Sequence, residues 1–280
     1  MEGRARGLAV GDDPAARVRD LSLPAGGKAG RCAAQEGEER LSGKREGDDF
    51  ISTPRGKVWI ASKADPELIA SLELDEGMGA FAAPNYPPAR EKKALMRIAR
   101  GEGSNVILAH TEDGRIVGFV AIAPPSPAER WGRLSGQGLV EAMAIEVSRG
   151  WRSLGIADKM MECGLRDPFF DDKIVICTAY SWHWDLESSG LSKDAYRRML
   201  LRYLAKAGFM YYDTDEPNVN LDSANFFTAR IGPRVGGDLY RRFEQLLPQD
   251  RTWADFRGRP RTISEVLGES GMTSGGGGEG

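Results

Sequence analysis

The sequence predicts a mixed α/β domain with disordered ends, and three observations predict it. Strand-type and helix-type patterns intermix along the chain without regular alternation. A hairpin signal precedes the central strand–helix unit, which argues against a doubly wound dinucleotide-binding sheet. Both ends are rich in Gly and charge and lack apolar periodicity.

Composition removes several function classes. The 280 residues fit one sizeable domain with extensions. A formal net charge of -3 leaves no electrostatic footprint for nucleic acid as the main partner. No apolar run approaches the roughly 20 residues of a membrane span, so no membrane partner is expected. The opening "MEGRARGLAVGDDPAARVRD" lacks the apolar core of a secretory signal. Cys32, Cys163 and Cys177 show no metal or redox spacing, and only His110 and His183 are present. A cytoplasmic protein without a metal is expected.

Residues 1–50 read as a disordered extension, 51–247 as the folded domain, and 248–280 as a C-terminal extension with a Gly-rich tail. "GKVWIASKA" predicts a strand. "DPELIASLELDEGMGAF" predicts a helix, with Asp65 as its cap and Pro66 at the first helical position. "PPAREKKALMRIARGEG" predicts a second helix stopped by glycine. In "NVILAHTEDGRIVGFVAIAPP" two β-rich runs flank an Asp-Gly turn, a hairpin signal. "GLVEAMAIEVS" predicts the central strand. "LGIADKMMECGLRD" predicts a helix, with Ile156, Met160 and Cys163 on one buried stripe. "DKIVICTAY" predicts a strand. "SKDAYRRMLLRYLAKAGF" predicts a helix capped by Ser192, with Tyr196, Leu200, Tyr203 and Ala207 on one face. "FMYYDT" predicts a strand, and "DSANFFTARIG" and "DLYRRFEQLL" predict helices.

The segment "RGWRSLGIADKMM" joins the central strand to its helix. Free backbone N–H groups at a helix start, reinforced by the helix dipole, favour phosphate there. Gly155 and Ala157 are small enough for close backbone approach, and Arg152 can add a charge-assisted bond. An ordinary surface loop would carry similar residues, so context must decide.

With the hairpin before it, the turn Arg152-Ser153-Leu154-Gly155-Ile156-Ala157 resembles motif A of the GNAT superfamily of N-acetyltransferases. "LVEAMAIEVSRGWRS", "AYSWHWDL", "TDEPNVNLDSANFFTARIG" and "YPPAREKKALMRIA" narrow the resemblance to the acetoin-utilisation protein A family. It covers roughly residues 56–235. The resemblance implies a GNAT-type mixed sheet flanked by helices. It implies acetyl-CoA as donor, held by Ile145 and Val147 of the strand and by Arg152, Ser153, Leu154, Gly155, Ile156 and Ala157. It also implies a protein lysine acceptor, on acetyl-CoA synthetase. Two departures stand out: Ser153 where the superfamily often has glycine, and Ala157 where the compared relative has glycine.

Acetyl transfer to an amine needs a base, because a lysine ammonium with a pKa of about 10.4 must lose its proton first. Glu141 and Glu146 lie on the central strand, and their odd separation puts them on opposite faces unless a bulge intervenes. Glu141 has the spacing of the general base in histone-type superfamily members. Glu146 is the second candidate, and His183 a third, since an imidazole suits proton pickup near neutral pH. Tyr203 is near the usual general-acid position but one residue early, and reads rather as helix core. In "SWHWD", strand alternation would put Trp182 and Trp184 on one face and His183 with Asp185 on the other. The aromatics could line an acceptor groove, with Asp185 attracting the ammonium. Asp215 and Glu216 could steer a lysine or simply form a solvated turn. A small-molecule amine acceptor, or a non-catalytic CoA-binding module, are the competing readings.

Overall fold

The computed structural model describes residues 49–79, 88–247 and 260–269. The expected disordered N-terminal extension and Gly-rich tail lie outside these residues, except that Asp49 and Phe50 belong to the first strand and that residues 260–269 of the expected C-terminal extension pack into the domain, with Ile263 buried in its core.

Among the described residues one nine-stranded sheet dominates. Its strands are β1 (Asp49–Thr53), β2 (Gly56–Ala61), β3 (Glu73–Leu74), β4 (Asn105–Thr111), β5 (Arg115–Ala123), β6 (Leu139–Val147), β7 (Ile174–Ala179), β8 (Met210–Tyr211) and β9 (Phe226–Ile231). The helices are α1 (Pro66–Ser71), α2 (Pro88–Ala99), α3 (Ile156–Gly164), α4 (Leu186–Ser189), α5 (Lys193–Lys206), α6 (Pro217–Asn220), α7 (Gly237–Glu244) and α8 (Ile263–Leu267). The sheet order is β1-β2-β4-β5-β6-β7-β9-β8, with β3 beside β5. Most neighbours are antiparallel; β6 and β7 are parallel, joined by the crossover through α3. This is a mixed sheet flanked by helices, as the resemblance implied.

Each face of the sheet buries its own core. One face packs α3 through Ile156, Met160 and Cys163, α5 through Leu201 and Leu204, and α8 through Ile263. The expected stripe of α3 is therefore buried, whereas the deepest residues of α5 sit one position past the expected Leu200–Tyr203 face. The other face carries two clusters, one beneath α1 and α2 and one around Trp131, Phe227 and Phe243.

Three local expectations are corrected. The helix after Asp65 does form with Asp65 as cap, but it ends at Ser71 and the chain returns as β3. β1 adds an unpredicted hairpin with β2. "DSANFFTARIG" is not a helix: Phe226–Ile231 is a strand between β7 and β8, because Phe226 and Phe227 bury on opposite faces. A short apolar run does not reveal its period.

Candidate active site

The parallel pairing of β6 with β7 covers three residue pairs and ends at Glu141 beside Ile176. Beyond that point β6 continues along β5 as far as Val147, and β7 continues along β9 as far as Ala179. The two strands diverge, and the peptide groups of Ala142 to Val147 lose β7 as a ladder partner. A wedge-shaped cleft opens in the sheet, bordered by the turn after β6 and the segment after β7.

The turn after β6 is shaped by backbone geometry. Ser153 has φ of +60° and Gly155, the cap of α3, has φ of +77°. Left-handed backbone favours glycine, so Ser153 holds a conformation that glycine adopts more readily. The first intrahelical acceptor is the Gly155 carbonyl, reached by the Lys159 amide at 3.0 Å. The amides of Ile156, Ala157 and Asp158 precede that bond and have no acceptor within the helix. Leu154 and Ile156 turn inward onto the α3 core, as do Ile145 and Val147 from β6.

Two straps hold this turn. Asp75, from the loop after β3, accepts hydrogen bonds from the Ser148 hydroxyl, the Gly77 amide (3.1 Å) and the Trp151 indole (3.4 Å). Burial alone would raise the Asp75 pKa, but these hydrogen bonds outweigh it and hold the carboxyl below its usual value. From the other side, Arg55 of the β1–β2 turn lies 4.7 Å over the Trp151 ring and donates to the Gly150 carbonyl.

Arg152 does not reach out alone. Its Nη2 is 2.8 Å from Asp185 Oδ2, its Nη1 is 3.1 Å from Ser188 Oγ, and its Nε donates to the Val147 carbonyl at 3.2 Å. Asp185, only 11% exposed at its side chain, also lies 3.5 Å from Arg149. Burial alone would raise the pKa of Asp185; hydrogen bonds from Ser188 and Arg152 overcome that and lower it. The residue expected to attract a lysine is thus engaged with the arginine expected to bind phosphate.

The strand carboxylates correct the alternation argument. Ala144 pairs with Ala121 and Ala142 with Ile122, so Met143 is an extra residue on β6. Val140, Ala142, Ile145 and Val147 all face the α3 core, so Glu141 and Glu146 share the opposite face. Their surroundings separate them. Glu141 is half-buried at the point where the strands part, between Leu139 of one apolar cluster and Ala144 of the other. Glu146 is 3% exposed, accepts the Gly79 amide at 2.7 Å and hydrogen-bonds to Glu91 of α2. Burial, with the Glu146 charge and hydrogen bond adding to it, pushes Glu91 up to about 8. Glu91 therefore retains a proton at neutral pH.

The segment after β7 also departs from the expected pattern. Ser181–His183 forms a turn of 3-10 helix, so strand alternation does not apply. Trp182 stacks on Tyr180 with centroids 4.8 Å apart and remains 49% exposed. His183 meets both rings edge-on. Trp184 goes elsewhere: it stacks on Tyr196 and packs against the core near Phe226. Asn225 and Asp222 fix this turn by accepting hydrogen bonds from the Ser181 amide at 2.7 Å and its hydroxyl at 2.9 Å.

Asp215 and Glu216 both face Arg130, which also donates to the Leu247 carbonyl at 3.0 Å. Their charge is largely compensated there, and they serve to dock the segment after α7. Tyr203 donates to the Ala157 carbonyl at 3.1 Å, and burial raises its pKa well above the usual value. It is helix core, as read from the sequence. Among the described residues no group of three or more His, Cys, Asp or Glu could hold a metal, and no helix is long and apolar enough to cross a membrane.

Three residues at the cleft were missed in the sequence: Asp75, Arg55 and Glu91. Turn chemistry in "LDEGMG" could have flagged Asp75. Glu91 stands in "REKK" and looks like any solvated helix acid.

No protein-family model matches the chain. Acetoin utilization protein AcuA of Bacillus licheniformis is 31% identical over 196 residues, 70% of this chain and 91% of that protein. AcuA of Bacillus subtilis is 33% identical over 199 residues, again 70% and 91%. The crystal structure of an acetoin utilization protein from Exiguobacterium sibiricum superposes with a TM-score of 0.69 at 30% identity, covering 75% of this chain and 96% of that one.

Proposed function

The chain belongs to the acetoin utilization protein AcuA family, and from that premise we propose that it transfers the acetyl group of acetyl-CoA to a lysine side chain of a protein. The observation that carries this reading is the cleft between β6 and β7, which has a helix-start turn at one wall and a carboxylate, Glu141, at its apex. The residues fit the donor. The left-handed positions at Ser153 and Gly155 leave room at the start of α3, where amide N–H groups and Arg152 meet a diphosphate. Ile145 and Val147 supply the strand along which the pantetheine arm lies, and its backbone N–H groups are suited to a developing thioester oxyanion.

In this reading Glu141 is the general base, acting directly or through water on the acceptor ammonium. Glu146, buried and hydrogen-bonded to the Gly79 amide and to Glu91, supports the loop Asp75–Gly79 instead of touching the acceptor. Trp182, Tyr180 and His183 form the exposed wall against which an aliphatic lysine stem and its cation pack. The resemblance points to acetyl-CoA synthetase as the acceptor protein.

The test is incubation with labelled acetyl-CoA and a cell lysate, followed by identification of the labelled protein. Label on a lysine of acetyl-CoA synthetase is expected. Label on other proteins only would overturn that acceptor, and label confined to small amines would overturn the protein-lysine reading.

A further inference from the structure

The ion pair between Arg152 and Asp185 spans the mouth of the cleft. One partner belongs to the turn that meets the donor, the other to the segment that bears the exposed aromatic wall. Resting on the donor reading above, we propose that this pair is exchangeable: a diphosphate entering at the start of α3 draws Arg152 off Asp185, and the freed carboxylate then receives the cationic side chain of the acceptor.

The geometry sets up the competition. Arg152 has one guanidinium fork, and it is spent on Asp185, Ser188 and the Val147 carbonyl. Arg149 approaches the same Asp185 oxygen at 3.5 Å and Ser188 at 3.4 Å, so both bases of the turn lean on one carboxylate. A diphosphate offers more charge and more acceptor oxygens than that carboxylate, and the α3 amides add to its side of the balance. Once Arg152 leaves, Asp185 keeps only the more distant Arg149, at 3.5 Å, and has lost its nearer cation at 2.8 Å, so this mostly buried carboxylate gains from a second cation. Trp182 and His183, three and two residues before it, bring an acceptor lysine to that place. Donor and acceptor are thereby coupled through one shared charge, and the coupling is reciprocal.

The prediction has a sign that a purely structural role would not give. Asp185→Asn keeps the shape and can still cap α4, where Asp185 accepts the Ser188 amide at 3.4 Å. Titration of the full chain with CoA should show the variant binding about fivefold tighter or more than the wild type, the scale of ordinary site–site coupling. KM for a lysine acceptor should rise in the same variant. The gain in CoA affinity should vanish when Arg152→Gln is combined with Asp185→Asn. If the variant melts early, Ser188→Ala removes a partner of both side chains and should tighten CoA in the same direction, by less. Wild-type binding of CoA with unchanged or weaker binding by Asp185→Asn and Ser188→Ala would overturn the exchange alone. Absence of CoA binding by the wild type would overturn the donor reading, and the exchange with it.

Discussion

The turn Ser148–Ala157 and the segment Tyr180–Ser189 face one another across the same cleft and are built on different plans. The turn works through its backbone: two left-handed residues, a helix start, and straps from Asp75 and Arg55 that hold the peptide groups in place. The segment works through its side chains: one exposed tryptophan, one anchored tryptophan, a histidine between rings, and a carboxylate turned inward. A site built from backbone recognises what is common to a cofactor. A site built from side chains recognises one partner and is open to change. The comparison teaches that donor binding should respond to strap and φ changes, and acceptor choice to ring changes.

The widest contrast lies within the aromatic segment. Trp184→Ala should cost about 3 kcal/mol of stability, because the ring is packed between Tyr196 and the core. Trp182→Ala should change stability by no more than about 0.5 kcal/mol, yet raise the acceptor KM by up to about tenfold. Thermal melts and steady-state kinetics on the pair check both; equal melting losses would erase the anchored-versus-exposed distinction.

The strap comes next. Asp75→Ala should destabilise the protein by about 1–3 kcal/mol, since it strands the Ser148, Gly77 and Trp151 donors. CoA affinity should fall with it, measured by calorimetry. Intact affinity would mean that the turn holds its shape without the strap.

A pH-dependent effect concerns the proton that Glu91 holds beside Glu146. Glu91 is raised to about 8 in the folded chain, above an ordinary carboxyl of about 4.3. The folded state then holds more protons than the unfolded one between those values. Stability from this group is fully kept below the unfolded value and declines as pH rises, by at most about 1.4 kcal/mol per pH unit, until it levels off above about 8. Glu91→Gln should flatten that decline and melt higher than wild type at pH 8, while matching it more closely at pH 5. An unchanged slope in urea titrations across pH would show that the proton is not held there.

The smallest expected effect is at the turn. Ser153→Gly relieves a left-handed φ but adds unfolded-chain entropy, so a net gain of about 0.5 kcal/mol is expected. A loss in chemical denaturation would show that Ser153 is held without strain.

These regions also differ in how far they could be read in advance. The strand, turn and helix around Ser148–Ala157 could be placed in advance because they lie within one stretch of chain, and Glu141 could be placed on the same strand. The shared face of Glu141 and Glu146 was not, because the extra residue Met143 exists only in the pairing of β6 with β5. Asp185 was read as open to a ligand, since its partner Arg152 lies on a different element. Glu91 meets Glu146 only after α2 packs on the sheet. Phe226–Ile231 read as helix because both its faces are buried, which erases the period of two.

Glu141, at the point where β6 and β7 part, is proposed to take the acceptor's proton. The most direct measurement is the rate of acetyl transfer to a lysine acceptor by Glu141→Gln beside wild type, across pH 6 to 10, with CoA affinity followed in parallel. The account predicts a fall of about 10²-fold or more at neutral pH, with CoA affinity near wild type and the deficit narrowing as the acceptor amine deprotonates by itself. Transfer at the wild-type rate throughout that range would contradict it.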